Sequence, residues 1–232
     1  MNALAVDGVW KFYGDYPALR DIRFSVEPGQ CTALLGRNGA GKTTLIRILA
    51  GLSRPTRGAV RLFGEDASER AMRTRVGILG HGIGIYDELS AYENLKLFAG
   101  LYALPAPARV ASEWLERTGL DRVKHGLVRE FSRGMRQRLA VARAFLHGPR
   151  LLLLDEPFTA LDDRAIALLQ GLLRDALREG RTVLMSTHQL REALELATHV
   201  VLISRGRLAH AGERTAAMLA DPGYLYREYG EA

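Results

Sequence analysis

Polar and apolar positions along this chain change period several times, and each change marks an element. Residues 151–155 (LLLLD) are almost continuously apolar, the pattern of a strand in a parallel sheet buried on both faces. Residues 31–35 (CTALL), 76–79 (VGIL) and 182–186 (TVLMS) predict further short apolar strands. Residues 3–8, 22–26 and 59–63 predict three more, with turn signals at Gly14-Asp15, Pro28-Gly29 and Gly64. Between them the period becomes helical. Residues 44–50 follow a glycine-rich loop, and 91–104 run until Pro105 and Pro107 break the pattern. Helices are predicted over 109–117, ending near Gly119, and from Ser132 to about His147. The stretch 163–178 places Ile166, Leu169, Leu173 and Leu177 on one stripe. A helix over 189–198 and a strand pair, 199–204 and 207–211, turning at Arg205-Gly206, complete the reading. These elements make an α/β core interrupted by a helical insert at roughly 85–135.

The loop after residues 31–35 reads GRNGAGKT at 36–43. Gly36, Gly39 and Gly41 let its backbone curl so that N–H groups face a phosphate chain. Lys42 can reach the β- and γ-phosphates, and the Thr43 hydroxyl can take one position on Mg²⁺. Behind the apolar run 151–154, Asp155 can hold Mg²⁺ directly or through water, and Glu156 can orient and polarise an attacking water. Asp155 is expected to end a strand beside the phosphate loop, and the helical insert accounts for the long stretch between Lys42 and Asp155. At 131–135 the chain reads FSRGM. Ser132 is a natural N-cap, and Gly134 leaves the first helical amides accessible. Arg133 is unfavourable beside the positive pole of that helix unless an anion sits nearby, and a γ-phosphate would be such an anion.

In this order the strings resemble the nucleotide-binding subunits of ABC transporters over nearly the whole chain. GRNGAGKT is similar to the Walker A loop, LLLLDE to the Walker B strand, FSRGM to the signature, Thr159–Asp162 to the D-loop, and Ser186–His188 to the segment ending in the switch histidine. The resemblance implies an α/β fold: a phosphate-loop NTPase sheet core with an N-terminal antiparallel β region and an inserted helical subdomain, all of 1–232 forming one nucleotide-binding domain. It implies that Gly36, Arg37, Asn38, Gly39, Ala40, Gly41, Lys42, Thr43 and Thr44 hold the phosphates of ATP and that Thr43 and Asp155 hold Mg²⁺. Lys42, Glu156 and His188 carry the chemistry, and Tyr13 stacks on adenine. Ser132, Arg133, Gly134 and Met135 reach the nucleotide across a dimer, with Asp162 beside it. Arg133 and Met135 depart from the usual glycine and glutamine of the signature. His81 stands where the family has a glutamine that touches Mg²⁺; a neutral imidazole can also accept a hydrogen bond or ligate metal, though in a more pH-sensitive way.

The implied partners are a membrane-spanning subunit, docked near residues 81–103, and a second nucleotide-binding domain. The strings GLSRPTRG, LGH, DEPFTALD and STHQ further resemble the ATPase subunits of bacterial haem exporters in cytochrome c maturation. Exporters of drugs, polysaccharides or lipids share several of them and remain the alternative. Soluble members acting in translation or DNA repair usually carry two such domains or a long coiled coil, which 232 residues do not accommodate. A stand-alone phosphate-loop kinase is disfavoured by the signature and D-loop.

Composition changes this picture little. The chain is 47% hydrophobic and 25% charged, ordinary for a globular protein. No apolar stretch approaches the roughly 20 residues that span a bilayer, and the first ten residues lack the pattern of a signal peptide. The single cysteine, Cys31, reads as a small buried hydrophobe, and one cysteine allows no internal disulfide, which suits a reducing cytoplasm. The expected location is the cytoplasmic face of the inner membrane, held there by the partner subunit. A formal charge of +6, with eight Lys/Arg against four Asp/Glu over 105–138, raises the question of an anionic partner. Because no basic run is interleaved with aromatics, no nucleic acid is expected.

Overall fold

The computed structural model describes residues 1–80, 84–221 and 223–229. The chain opens with β1 (Leu4–Tyr13), β2 (Tyr16–Val26) and β3 (Cys31–Leu35), followed by α1 (Lys42–Leu49), β4 (Arg57–Leu62), the two-residue β5 (Glu65–Asp66) and β6 (Val76–Leu79). Three helices come next: α2 (Ala91–Leu101), α3 (Pro107–Arg117) and α4 (Arg133–Phe145). After them run β7 (Leu151–Asp155), α5 (Asp163–Arg178), β8 (Thr182–Ser186), α6 (Leu190–Leu194), β9 (His199–Ser204) and β10 (Arg207–Glu213). Two short helices, α7 (Ala216–Ala220) and α8 (Tyr224–Tyr229), end the described chain.

Two sheets organise these elements. An antiparallel sheet has the order β2-β1-β4-β5, and the main sheet runs β10-β9-β3-β8-β7-β6. Its inner pairs are parallel, and only β10 runs against its neighbour. The apolar runs read from sequence are its strands, and alternate residues explain why they are apolar throughout. Leu152 and Leu154 of β7 enter the core shared with α2 to α5, whereas Leu151 and Leu153 enter the core shared with α1 and the antiparallel sheet. β9 divides in the same way, with Val200 and Leu202 on one side and Val201 and Ile203 on the other. A strand covered on both faces has no polar side to show.

The helical insert lies between β6 and β7, and its boundaries follow local chemistry. Ser90 and Glu93 form a reciprocal cap at the start of α2. Pro107, expected to interrupt helix, instead opens α3 at its first turn, where a missing N–H costs nothing. Ser132 caps α4 by accepting from the Met135 amide at 3.2 Å. The stripe on α5 is as read: Leu169 and Leu173 are buried, while Ile166 and Leu177 pack at its margin.

Several elements differ from the sequence reading. β1 and β2 extend to a tight hairpin at Gly14-Asp15, because a bulge at Gly8 (φ 60°) resets the alternation between Val6 and Val9 that had suggested a strand end. α6 stops at Leu194, short of 198, because the Thr198 amide is drawn to the carbonyl of Cys31 (2.8 Å) to join β9 to the sheet. The helices α7 and α8 were not anticipated. Cys31 is fully buried, and burial pushes its thiol up to about 12.

A half-buried histidine makes the fold sensitive to acid. His147 stacks on Tyr102 with ring centroids 3.9 Å apart, donates from Nε2 to the Val76 carbonyl, and has no partner for Nδ1 among the described residues. Burial lowers its pKa from 6.5 to about 4. Between those values the unfolded chain binds more protons than the folded one, so stability rises with pH across the window and is lost as pH falls through it. The difference corresponds to about 3 kcal/mol. In denaturant titrations from pH 7 to pH 4, His147→Phe should keep the stack and show a shallower acid-side loss than the wild type; parallel pH profiles would refute this.

Candidate functional site

At the end of β3 the chain enters the phosphate loop under tight backbone constraint. Gly36 has φ 151°, and a Cβ there would lie 2.4 Å from the carbonyl oxygen of Ile203 on the neighbouring β9. Gly41, the N-cap of α1, has φ 110°, and its Cβ would meet Leu19 and Ala18 at 2.7 and 2.8 Å. Above Gly39, by contrast, there is open space. The helix that follows has no side-chain cap and no acid in its first turn. Its free amides and positive pole are therefore available to an anion. Thr43 is exposed and Thr44 half-buried on that first turn. The Lys42 side chain folds back, its Nζ donating to the carbonyls of Gly36 (2.7 Å) and Arg37 (3.3 Å). Burial lowers the Lys42 pKa, while the Glu156 and Asp155 carboxylates act in the opposite direction.

The carboxylates stand where β7 leaves the sheet interior. β8 lies between β3 and β7, and Asp155 still ends its strand near enough to the phosphate loop for its charge to act on Lys42. Asp155 is only 4% exposed and accepts a hydrogen bond from the Ser186 hydroxyl, its register partner on β8. Glu156 then turns into left-handed backbone, φ 55°, unusual for a residue with a side chain. Its amide donates to the Ser186 carbonyl at 2.9 Å. Its Oε2 lies 2.8 Å from His188 Nδ1 and accepts from the His188 amide at 3.2 Å. The turn is braced from the helical insert: Gln137 of α4 donates to the carbonyls of Glu156 (3.3 Å) and Pro157 (2.9 Å).

The signature segment sits against this turn. A Cβ at Gly134 would be 3.0 Å from the Ala160 carbonyl oxygen. Arg133, Arg136, Gln137, Asp155 and Glu156 line a cavity of about 460 Å³, which brings the first residue of α4 and the two acids to one space. Met135 is half-buried against the core, and Arg136 is paired with Asp87 at 2.6 Å. Asp162 is engaged locally: its carboxylate accepts from the Ala165 amide at 2.8 Å and caps α5. The phosphate loop opens on a different cavity, about 490 Å³, lined by Arg37, Asn38, Gly39, Ala40, Tyr16 and Tyr226 among others. Tyr13 ends β1 half-exposed, with the Lys11 ammonium 5.3 Å from its ring centroid, and does not line that cavity. His81 lies outside the described residues.

Sequence reasoning missed Gln137, Ser186 as a ligand of Asp155, and Tyr226. Gln137 falls within the FSRGMRQR string, where its i+3 distance from Gly134 offered a faint signal; Tyr226 lies in a tail without motif.

Comparison with known proteins agrees with this geometry. The ABC transporter family model matches residues 19–159. The Nod factor export ATP-binding protein I of Cupriavidus metallidurans is 40% identical over 90% of this chain and 71% of its own length. The daunorubicin resistance ATP-binding protein DrrA3 of Streptomyces coeruleorubidus is 41% identical over 91% of this chain and 68% of its own length. A solved ATP-binding subunit of an ABC transporter superposes with a TM-score of 0.85 at 31% identity, covering 98% of this chain and 93% of that one. The chain belongs to the ABC transporter family and is its ATP-binding, ATP-hydrolysing part.

The bracing by Gln137 yields a test. Gln137→Ala removes the side-chain donor from the Pro157 carbonyl and leaves the Glu156 carbonyl with the Thr159 amide alone, at a cost of about 1–3 kcal/mol to the turn that carries Glu156. ATP turnover should fall by roughly that factor, about five-fold or more, with ATP affinity changed less than two-fold. An unaltered turnover number would show that α4 does not hold Glu156 in place.

Proposed function

We propose that this subunit hydrolyses ATP with Glu156 as the water-orienting base and drives a separate membrane-spanning exporter. The observation that carries the reading is the Glu156 carboxylate, held at 2.8 Å by His188 beside the buried Asp155. A carboxylate kept in left-handed backbone by Ser186 and Gln137 points a defined way before substrate arrives, and such preorganisation lowers the cost of reaching the transition state. Within 36–43 the later amides and the Lys42 ammonium take the phosphates, Lys42 exchanging backbone carbonyls for phosphate oxygens. His188, within reach of Glu156, contacts the γ-phosphate. Tyr13 stacks on adenine, and Tyr16, its register partner across the turn, lines the loop's cavity.

The residues present suit Mg²⁺. Among the described residues no group of three or more His, Cys, Asp and Glu converges as a metal cage. A magnesium ion needs none, since it is held by one or two protein oxygens with phosphates and water. Thr43, exposed at the start of α1, and Asp155 would hold it, with His81 as the further candidate. The ion would neutralise charge on the phosphate oxygens.

Ser132, Arg133, Gly134 and Met135 complete a partner's nucleotide site in a dimer, with Asp162 at the same interface. Among the described residues no helix is long and apolar enough to cross a membrane. Tyr86, Leu97 and Leu101 of the helical insert are exposed, an apolar set that a membrane subunit at the cytoplasmic face would cover. The two relatives named for Nod factor export and daunorubicin resistance favour export. Haem export rests on short strings alone and is the narrower alternative.

Glu156→Gln keeps the shape of the side chain and removes its basicity. Hydrolysis should fall at least a hundred-fold while ATP binding persists, and an ATP-dependent dimer should accumulate on size-exclusion chromatography. Wild-type turnover by this variant would dismiss Glu156 from the role. For the cargo, disruption of the gene is expected to leave haem-stained cytochrome c normal. Its loss, not rescued by Lys42→Ala, would restore haem export as the assignment.

A further inference from the structure

The C-terminal helix α8 is tied to the phosphate loop across 190 positions of sequence: the Gly36 amide donates to the Tyr226 hydroxyl at 3.2 Å. The helix is firmly seated. Leu225 is fully buried in the main core, Tyr229 stacks on His210 with centroids 4.4 Å apart, and Tyr224 meets Tyr229 edge-on. Tyr226 itself is half-buried and lines the cavity of the loop beside Arg37, Asn38 and Gly39. Its hydrogen bond falls on the one loop residue whose backbone is most confined, since β9 leaves no room for a Cβ at Gly36. The same residue's carbonyl accepts from Lys42 Nζ at 2.7 Å. Residue 36 is therefore held at its amide by Tyr226 and at its carbonyl by the lysine that must engage the phosphates.

From this arrangement we infer that Tyr226 is a positioning residue for ATP, which keeps the entry of the phosphate loop in its anion-cradling shape and makes nucleotide affinity depend on the docking of α8. The inference builds on the ATP-binding reading of residues 36–43. The chemistry suits the role. Burial first, and then the nearby Glu156 carboxylate, raise the phenol pKa, with the Gly36 hydrogen bond and Arg37 opposing them. The hydroxyl thus stays neutral and serves as a steady acceptor. No other acceptor is needed from the nucleotide at this amide, so the tether and the phosphates do not compete; they share one loop. A half-buried amide deprived of its acceptor returns to solvent by loosening the backbone around it.

Tyr226→Phe keeps the ring and its packing and removes only the oxygen. In the full chain, KM for ATP should rise roughly three- to ten-fold, the scale of one lost hydrogen bond, with kcat within two-fold of wild type. Amide exchange should accelerate in the peptide containing Gly36 and stay unchanged in β7 and β8. An unchanged KM with unchanged exchange at Gly36 overturns the inference. So does a general loss, in which kcat and the thermal midpoint fall together and exchange accelerates throughout, because that marks a packing role only. Should Tyr226→Phe fold poorly, Tyr226→His restores a polar group on a ring and must recover part of the Gly36 protection; failure to do so counts against the tether. Wild-type protein that binds no ATP would instead refute the reading of the loop, while protection at Gly36 would still decide the role of Tyr226.

Discussion

Leu151 to Leu154 are wholly buried, alternate side chains lie in opposite cores, and the next two residues are carboxylates. That strand sets the geometry around it. Because both faces of the central strands are covered, charged groups gather where the strands end, and all parallel strands end on the same edge. The phosphate loop leaves β3 at this edge, Asp155 and Glu156 leave β7, and Ser186 and His188 leave β8. Burial of apolar surface thus gathers groups that are more than a hundred residues apart in the chain. The gathering is held by few polar contacts: Ser186 grips both Asp155 and the Glu156 amide, and Gln137 grips the turn from the other side.

These contacts also link the two halves of the molecule. α4 begins at the signature and, one turn on, offers Gln137 to the carbonyls after the Walker B strand. Arg136, one residue earlier, pairs with Asp87 in the segment leading from β6 to α2. A shift of the helical insert would therefore be felt at Glu156 through side chains already in contact. This is a physical route by which the proposed membrane subunit and the proposed catalytic carboxylate could bias each other's states. The C-terminal helix adds a second route, entering at Gly36 from the opposite side of the loop.

Arg133 illustrates how one charge can serve two settings. At the positive end of α4 an arginine is out of place by itself, yet it faces a cavity that also holds Asp155 and Glu156. Within one subunit Asp155 and Glu156 line the same cavity; in a dimer of the proposed kind, a partner's triphosphate would supply the anion. Asp162 shows the converse, since its carboxylate already caps α5, and any role at an interface has to be compatible with that bond.

Much of this was legible in the chain because local chemistry is periodic and motif-bound. Continuous apolar runs meant buried strands, the glycines of 36–41 meant a curled loop, and Ser132 meant a helix start; each depends on a residue and its near neighbours. The order of the strands did not follow from any local pattern, and β8 came to stand between β3 and β7. The glycine at position 8 hid the true length of β1, because a bulge looks like a strand end when only alternation is read. Asp162 as a cap was written in its spacing to Ala165, but the motif it belongs to drew attention elsewhere. Gln137, the hydroxyl of Ser186 and above all Tyr226 were decided by tertiary structure alone. Their partners are distant in sequence, and a hydrogen bond between remote residues leaves no period or spacing in the chain, only a shared place once the cores have formed.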